Sequence, residues 1–330
     1  MTRFYDVTLR DGNHAARHSI DTGFVDRYCK AAEASAVWAV EVGHGNGLGA
    51  SSFLVGKASE TDHALLSAAR GVLSKVKLAV HSIPGFATVK RDIGPAIDLG
   101  VEIVRVGTHV TEVTTARKHL EFITSKDVVA HGVLMMSHSV DVGVLVEQSL
   151  LMEQYGASAV IIMDSAGNYT PRDVAERIRA LQNRLSVAVG FHAHNNLSIG
   201  VANALAAIDE GADIIDGSSM GLGAGAGNAS LEAIVVNRRR LDPAAPALQP
   251  FIQMSELVEL GFPQFLPRTS GASIRSGDAG VFSGFAPQVR QVSDEFGVSQ
   301  EDLWQELGRR RLVAGQESMI REIAQDLMHL

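Results

Sequence analysis

Two short stretches of the sequence carry residue types that could bind a divalent metal ion. The first contains Arg10, Asp11 and His14, and the second is His192-Ala193-His194. Histidines two positions apart on an extended strand point to the same face, so both rings can converge on one ion. Asp11 would add a hard oxygen ligand, and such a mixed set suits Mn²⁺, Mg²⁺, Co²⁺ or Zn²⁺. We therefore predict a metal site formed by Asp11, His192 and His194.

Two neighbours of Asp11 could act on a substrate bound at this metal. Arg10 stays protonated at working pH and could donate hydrogen bonds to negative charge that develops on an enolate oxygen. It could also form a structural salt bridge to Glu41, and the two roles are compatible. His14 could cap a helix or face solvent, but an imidazole suits a base that takes a proton from a substrate hydroxyl. This chemistry would make or break a carbon–carbon bond beside a carbonyl.

Short apolar segments rich in β-branched residues alternate with helical segments along the first 240 residues. We predict strands at 3–8, 38–43, 77–82, 102–107, 128–135, 158–163, 187–192 and 212–216. Helical periodicity is clear over 25–35, 62–73 and 142–155. Strands that are apolar on both faces and separated by helices indicate a parallel sheet covered by helices. Eight such units predict a closed (β/α)8 TIM barrel over residues 1–240, with an open doubly wound sheet as the alternative.

Polar side chains recur where the predicted strands end. They are Arg10, Asp11, Glu41, His44, His81, His109, His138, Asp164, Ser165, His192, His194 and Asp216. In a barrel, the loops that follow the strands converge on the barrel axis, and that face carries the chemistry. The recurrence over eight units supports a barrel enzyme more strongly than any single residue does.

The last quarter of the sequence has a different character. Proline and alanine without clear periodicity indicate a linker at 241–247. We predict a helical C-terminal extension over 250–330, and its helices are expected at 251–260, 298–312 and 316–328. This region is expected to extend the barrel rather than to form a second catalytic unit.

Composition and charge exclude several classes of protein. The chain has 330 residues, of which 46% are hydrophobic, so it can bury a large core. A net charge of −8 without a dense basic cluster argues against nucleic acid or an anionic membrane as a partner. The single cysteine, Cys29, precludes an internal disulfide and is expected to lie in an inert core. With no signal-peptide core and no long apolar span, we predict a cytoplasmic protein.

A glycine-rich segment, Gly221–Asn228, follows the last predicted strand. One interpretation is a flexible connector. The other is a loop whose backbone N–H groups approach the substrate or the metal site, with Asn228 reaching inward. The segment lacks the Gly-Lys-Ser/Thr ending of a phosphate-binding loop, which excludes a nucleotide site of that kind.

Taken together, these motifs resemble the 4-hydroxy-2-oxoacid aldolases, the 4-hydroxy-2-oxovalerate aldolase family of the DRE-TIM metallolyase superfamily. The resemblance covers nearly the whole chain, and it rests on Thr8–Gly12 with His14, Glu41-Val42, His44-Gly45, Gly47–Gly49, Arg105-Val106, Thr108-His109, Thr111-Glu112, Leu134–His138, Asp164-Ser165, His192–His194, Gly223–Asn228 and Gly315–Glu317. Arg10, Asp11 and Glu41 match the triad from which the superfamily takes its name.

The resemblance implies a divalent metal, Mn²⁺ above the others, on Asp11, His192 and His194. It implies cleavage of a 4-hydroxy-2-oxoacid to pyruvate, or a close 2-oxoacid, and an aldehyde. His14 would take the proton of the C4 hydroxyl, and Arg10, held by Glu41, would stabilise the enolate. The substrate-binding residues implied are Arg10, Ser165 and His192. The resemblance also implies an oligomer, and an acylating aldehyde dehydrogenase as a partner of the C-terminal helices.

One motif departs from the family pattern. Where the family has Gly-Tyr-Ala-Gly-Val-Tyr-Ser-Ser-Phe, this chain has Gly-Asp-Ala-Gly-Val-Phe-Ser-Gly-Phe over 277–285. Both tyrosines are replaced, by Asp278 and Phe282, so we expect a phenol near His14 to be missing. The metal chemistry should survive, whereas the aldehyde should differ and be larger or aromatic. The residues expected around the site, without binding the metal, are His44, Asn228, Asp278 and Phe282.

Two alternatives to the aldolase are considered. The first is a lyase or synthase of the same superfamily that acts on an acyl-CoA, although those relatives carry a cysteine-containing loop where Gly221–Asn228 stands. The second is a weakly catalytic subunit that mainly organises a dehydrogenase partner, an idea supported only by the loss of the tyrosines. Turnover by the isolated chain would separate this last alternative from the aldolase.

Overall fold

A closed barrel of parallel strands forms the centre of the computed structural model, which describes residues 2–313 and 316–328. In chain order the strands are β1 Arg3–Asp6, β2 Ala39–Glu41, β3 Lys77–Ser82, β4 Ile103–His109, β5 Val129–Met135, β6 Ala159–Asp164, β7 Ala188–Ala193 and β8 Ile214–Gly217. β1 pairs in parallel with β8, and Tyr5 lies opposite Asp216. This pairing closes the sheet, so the predicted (β/α)8 barrel is confirmed and the open sheet is excluded.

Helices surround the barrel and continue beyond it. In chain order they are α1 Gly12–Ala15, α2 Thr22–Glu33, α3 Asp62–Arg70, α4 Gly94–Asp98, α5 Arg117–Thr124, α6 Val142–Gln154, α7 Pro171–Gln182, α8 Gly200–Asp209, α9 Leu231–Leu241, α10 Gln249–Gly261, α11 Gly271–Asp278, α12 Ala286–Phe296, α13 Gln300–Arg309 and α14 Met319–Leu327. The Asp21 side chain caps α2 by accepting from the Phe24 amide at 2.6 Å. Within the described part of the chain, every helix is too short or too polar to cross a membrane.

Apolar side chains fill two layers of the barrel. The inner layer contains Tyr5, Val7, Ala39, Ala79, Ile103, Val133, Ala159, Ile161, Met163 and Ile214. The larger outer layer lies between the strands and the helices, and it includes Cys29, which is fully buried as predicted. Because side chains fill the interior, the barrel is a packed core rather than a pore. Chemistry is therefore confined to the ends of the strands and the loops that follow them.

The first strand ends earlier than the sequence predicts, and this places the acidic member of the metal site. The amides of Arg10 and Asp11 both donate to the carbonyl of Val7, at 3.2 and 2.8 Å. This turn ends the extended backbone and sets Asp11 directly before α1. The Asp11 side chain does not cap that helix, so its carboxylate is available to groups on other strands.

Packing divides the C-terminal region into two parts. Helix α10 packs against α2 and α9, and Phe251, Met254 and Val258 belong to the outer layer of the barrel. A separate core, centred on the buried Trp304, is formed by α12, α13 and α14. We call α12–α14 the C-terminal unit. The helices predicted at 298–312 and 316–328 correspond to α13 and α14, and Gly315 of the family motif lies outside the described residues.

Loops at the carboxyl end of the barrel hold the segment that leads into the C-terminal unit. After β5, His138 Nε2 donates to the Gly280 carbonyl at 2.9 Å. After β7, Asn196 Nδ2 donates to Ser276 Oγ at 2.9 Å. The approach to the C-terminal unit is thus attached to the same end of the barrel as the strand-end polar residues.

Candidate metal centre

Asp11, His192 and His194 meet at the carboxyl end of the barrel. One ligand atom from each lies within 4.8 Å of the other two, and Asp11 Oδ2 is 3.6 Å from His192 Nε2. All three side chains are buried, and His192 Nε2 has no hydrogen-bond partner among the described residues. A buried polar atom without a partner costs free energy. A divalent cation at this point would satisfy it, so the donor set fits a metal.

The geometry of β7 explains how the two histidines converge. His192 lies within the strand and His194 directly follows it, so their side chains leave on the same side. Their ring centroids are 5.0 Å apart. The Nδ1 atom of His192 lies 3.0 Å from Asp216 Oδ2 at the end of β8. A carboxylate bonded to Nδ1–H selects the tautomer whose Nε2 carries a lone pair for a metal.

Buried ion pairs connect the metal ligands to the barrel wall. Arg105 on β4 joins two carboxylates, with Nη1 3.1 Å from Glu41 Oε2 and Nη2 2.7 Å from Asp216 Oδ2. Burial acts to raise the pKa of Glu41, but Arg10 and Arg105 outweigh it and lower that pKa to about 2. Together with Asp11, the site contains three carboxylates and two guanidinium groups. A cation would compensate the excess negative charge.

Arg10 is held on two sides and keeps one nitrogen for a ligand. Its Nε donates to Glu41 Oε1 at 2.7 Å, so the ion pair considered from the sequence is present. Its Nη1 donates to the Gly45 carbonyl at 3.3 Å and lies 3.3 Å from Asp11 Oδ2. Its Nη2 is buried and has no partner among the residues that the structure describes. This nitrogen is a preorganised donor for negative charge on a bound substrate.

Asp11 and His194 carry the protonation states that a metal requires. Burial acts to raise the pKa of Asp11, but Arg10 and the nearby histidines bring it well below its ordinary value. Burial lowers the pKa of His194 to about 4. The amide of Ala224, in the glycine-rich loop, donates to Asp11 Oδ1 at 3.1 Å and supports the carboxylate. Metal ligands bind in their deprotonated forms, which these groups have at neutral pH.

His14 lies on α1, one turn beyond Asp11, and lines a cavity of about 390 Å³. The cavity walls also include Arg17, Ala224, Gln264, Phe265, Arg268 and Phe282. Burial lowers the pKa of His14 to about 4, so the ring is neutral at pH 7 and able to accept a proton. A Cβ atom on Gly45 would lie 2.6 Å from the His14 ring, which explains why a glycine stands there.

Two more histidines support the loop beside His14. The rings of His18 and His44 stack with their centroids 3.7 Å apart. His44 Nδ1 accepts from the Asn46 amide at 3.1 Å, and Nε2 donates to the Gly56 carbonyl at 3.0 Å. Because both ring nitrogens are occupied, His44 positions this loop rather than offering a ligand atom.

Ser165 directly follows β6, and Asn228 lies in the glycine-rich loop between β8 and α9. Ser165 Oγ accepts from the Met136 amide at 2.9 Å, which leaves its own proton available to a ligand. Asn228 Nδ2 donates to the Leu222 carbonyl at 3.2 Å, inside the glycine-rich loop. Its Oδ1 is buried and without a partner among the described residues. Asn228 therefore shapes the loop whose amide supports the metal-binding carboxylate.

Asp278 and Phe282, which stand where the family pattern has tyrosine, lie in different parts of the structure. Phe282 lines the cavity together with His14. Asp278 instead is exposed at the end of α11 and accepts from Gln305 Nε2 of α13 at 3.1 Å. Asp278 thus lies against the C-terminal unit and not beside the site, because the chain turns at Gly280, whose φ is +64°. The missing phenol beside His14 concerns Phe282 alone.

The ion pairs of Arg105 are not predicted from the sequence, in which Asp216 is only one of several acids at strand ends. The available signal was a charged residue inside an apolar strand, since a buried charge must be paired. The cavity wall at 264–268 was also missed. That segment follows α10 and carries no recognisable motif, so only the folded chain shows its proximity to His14.

Comparison with known proteins assigns the chain to a family. The HMGL-like family model matches residues 1–261, and the DmpG-like communication domain model matches 267–329. The chain belongs to the HMGL-like family. It is 48% identical over 323 residues to the 4-hydroxy-2-oxovalerate aldolases of Pectobacterium atrosepticum and Spirochaeta aurantia. Each alignment covers 98% of this chain, and 94% and 95% of the respective relatives. The resemblance noted in the sequence is therefore confirmed.

Solved structures share the fold of this HMGL-like chain at low sequence identity. A complete multifunctional pyruvate carboxylase from Rhizobium etli matches with a TM-score of 0.82 and 18% identity, over 99% of this chain and 36% of that one. The carboxyl transferase domain of the Rhizobium etli enzyme matches with a TM-score of 0.79 and 18% identity, over 99% of this chain and 60% of that one. At this identity the likeness establishes the barrel fold alone.

Removal of a ligand should abolish tight metal binding by this HMGL-like protein. We expect His192→Ala to weaken Mn²⁺ affinity by more than the roughly 10–100-fold that loss of an outer-shell partner typically costs. Isothermal titration of Mn²⁺ into chelator-treated protein measures the effect. His63→Ala, at an exposed histidine of α3, is the control and should bind as the wild type does. Unchanged affinity in His192→Ala would exclude this site.

Loss of the carboxylate behind His192 should weaken metal binding without removing a ligand. We expect Asp216→Asn to lower Mn²⁺ affinity about 10–100-fold, because the orientation and basicity of the imidazole change. Asp209→Asn, at an exposed acid of α8, is the matched control. Melting curves establish that both variants are folded at the titration temperature. Wild-type affinity in Asp216→Asn would mean that this carboxylate does not position the ligand.

Proposed function

We propose that this protein is a divalent-metal-dependent class II aldolase. It cleaves a 4-hydroxy-2-oxoacid to pyruvate, or a close 2-oxoacid, and an aldehyde, and it catalyses the reverse condensation. The proposal rests on one observation, the convergence of the Asp11–His192–His194 triad, the free Arg10 donor and His14 at one end of the barrel. The names of the relatives that span nearly the whole chain support the same reaction.

Separate groups of the protein would hold the metal ion and bind the carboxylate of the 2-oxoacid. Asp11, His192 and His194 would hold the ion, which when bound supplies Lewis-acid polarisation of the substrate carbonyl. Two nitrogen donors and one oxygen donor suit several divalent metals, and we favour Mn²⁺. Ser165 retains a hydroxyl proton that can be donated to the substrate carboxylate, since its oxygen already accepts from the Met136 amide.

Arg10 stabilises the charge that forms during cleavage. When the C3–C4 bond breaks, the bonding electrons remain with C3. They are delocalised onto the C2 oxygen, which gives the enolate its negative charge. The unpaired Nη2 of Arg10 donates to that oxygen, while Glu41 keeps the guanidinium from turning away. A donor held in place in this way needs no reorganisation in the transition state.

His14 starts the cleavage as the base. Its neutral ring takes the proton of the C4 hydroxyl, so that C4 becomes the carbonyl carbon of the aldehyde as the C3–C4 bond breaks. The pyruvate enolate then takes up a proton at C3 from water, and His14 releases its proton to solvent, which restores the neutral base. The cavity beside His14 receives the remainder of the aldehyde, and its wall combines Phe265, Leu266 and Phe282 with the polar side chains of Arg17, Gln264 and Arg268. Its volume of about 390 Å³ favours an aldehyde larger than acetaldehyde.

The C-terminal unit supplies the surface for a partner protein. Its core around Trp304 is separate from the layers of the barrel, and the communication-domain match covers it. We infer that the barrel of residues 1–240, with α10 packed on it, is the catalytic unit. An acylating aldehyde dehydrogenase would dock on α12–α14 of an oligomeric enzyme. A reducing, cytoplasmic location accords with the single buried cysteine, Cys29.

Turnover by the isolated chain is the test of the proposed reaction. We expect release of pyruvate from racemic 4-hydroxy-2-oxovalerate and its longer-chain homologues in the presence of Mn²⁺. The pyruvate is measured through its reduction by added lactate dehydrogenase. Treatment with a chelator should abolish the signal, and added Mn²⁺ should restore it. Absence of turnover on every 4-hydroxy-2-oxoacid tested would favour the partner-organising subunit instead.

Substitution of Arg10 should separate charge stabilisation from metal binding. We expect Arg10→Lys to lower kcat by roughly 10²–10³-fold, the usual cost of one lost oxyanion donor, while Mn²⁺ affinity changes little. Lysine keeps a cation beside Glu41, which avoids an unpaired buried carboxylate, whereas Arg10→Ala would add that cost. Arg91→Lys, at an exposed arginine, is the control. A near-normal kcat in Arg10→Lys would argue against the enolate role.

A further inference from the structure

Two residues in the wall of the aldehyde cavity compete for the same space. A Cβ atom built on Gly284 would lie 2.7 Å from Cζ and 2.9 Å from Cδ1 of Phe282. Both residues line the cavity that His14 also lines. We infer that Phe282 and Gly284 act as a coupled pair that determines the size of aldehyde the enzyme accepts. This inference rests on the proposed aldolase function and adds to it a determinant of substrate class.

Backbone conformation does not explain the glycine at position 284. The glycines of this chain with φ in the left-handed region include Gly225, Gly227 and Gly280, and Gly284 is not among them. A residue with a side chain could therefore adopt the backbone of Gly284 without strain. The obstacle to a side chain at this position is the Phe282 ring, which occupies the space where its Cβ would lie.

The flanking residues hold the backbone on which this pair stands. Phe285 is buried in the core of the C-terminal unit, and its ring meets the Phe282 ring edge-on, with centroids 6.1 Å apart. Ser283 packs so closely on the glycine-rich loop that a Cβ on Gly225 would lie 2.9 Å from the Ser283 Cβ. A side chain at position 284 would thus be accommodated by movement of the Phe282 ring rather than of the main chain.

The two residues depend on each other in this structure. Any Cβ at position 284 is incompatible with the ring position seen here, so the glycine permits the Phe282 ring to lie over residue 284. Phe282 and Gly284 therefore form one structural feature of the cavity wall.

This part of the wall selects aldehydes by size. Phe282 presents hydrocarbon to a cavity of about 390 Å³, and the absence of a side chain at Gly284 lets the ring lie over that residue. A methyl group at position 284 would take cavity space and displace the ring. Aldehydes with long aliphatic or aromatic bodies depend on that space, whereas acetaldehyde does not. The expected substrate class is therefore an aldehyde of several carbons, larger than acetaldehyde.

A double-mutant cycle tests the coupling. The assay is condensation of pyruvate with acetaldehyde, butanal, hexanal and phenylacetaldehyde under Mn²⁺, with kcat/KM determined for each. We expect Gly284→Ala to lower kcat/KM for the largest accepted aldehyde at least about tenfold relative to acetaldehyde, the usual scale of discrimination by a hydrocarbon pocket. In a Phe282→Ala background the same change should alter this ratio less than about twofold, because no ring remains to be displaced.

The matched control is Gly271→Ala at the start of α11. A Cβ there would meet only the flexible Arg275 side chain at 3.5 Å, and Gly271 does not line the cavity. Its aldehyde profile should equal that of the wild type. If Gly284→Ala fails to fold, recovery of folding in Phe282→Ala/Gly284→Ala supports the clash, and failure to recover contradicts it.

Three outcomes are distinguishable. An unchanged profile in Gly284→Ala, or an equal effect in both backgrounds, would overturn the coupled pair while leaving the aldolase intact. A wild-type protein that condenses no aldehyde and cleaves no 4-hydroxy-2-oxoacid would instead overturn the proposed function. A wild type that accepts acetaldehyde alone would contradict the inferred substrate class.

Discussion

The ion pairs of Arg105 are the interaction on which the candidate site depends. One guanidinium reaches from β4 to Glu41 on β2 and to Asp216 on β8, inside the barrel wall. Each carboxylate then orients a residue of the candidate site, since Glu41 holds Arg10 and Asp216 holds His192. An unpaired charge at this depth would cost several kcal/mol. The candidate metal ligand and the proposed donor for the enolate are therefore oriented by one buried cation, far from either in sequence.

The C-terminal region is coupled to the same chemistry by a short path. Ser283 packs on the glycine-rich loop, and the amide of Ala224 in that loop supports the carboxylate of Asp11. Phe282 faces the cavity, and Phe285 enters the core of the C-terminal unit within the next turn. A displacement of that unit would reach the aldehyde cavity through a few residues. The path gives a physical route by which the proposed partner could act on the cavity that His14 lines.

The sequence predicts correctly those features of the structure that follow from a local periodicity of the residues. His192 and His194 share a face because they are two apart on a strand, and the barrel follows from repeated apolar strands between helices. The contacts of Arg105 depend on barrel closure, which brings distant strands together, so no local pattern could assign them. The apolar periodicity of helix α10 would be the same whether it packed on the barrel or on the C-terminal unit. The sequence therefore could not predict which of the two it contacts. Asp278 and Phe282 diverge because the left-handed Gly280 redirects the chain between them.

Strand ends carry the candidate metal site, whereas loops form the cavity wall. The shape of the cavity can therefore change without a change in the metal site. The candidate ligands and Arg10 stand near strand ends, and buried ion pairs hold Asp11, Arg10 and His192. The cavity wall comes from the loop at 264–268 and from the turn that contains Phe282 and Gly284. Phe265 and Leu266 pack on the outer layer of the barrel, whereas Phe282 contacts Phe285 in the core of the C-terminal unit. These apolar side chains do not enter the ion-pair network. A changed aldehyde is thus compatible with conserved enolate chemistry, because the two halves of the substrate meet groups held by different parts of the fold.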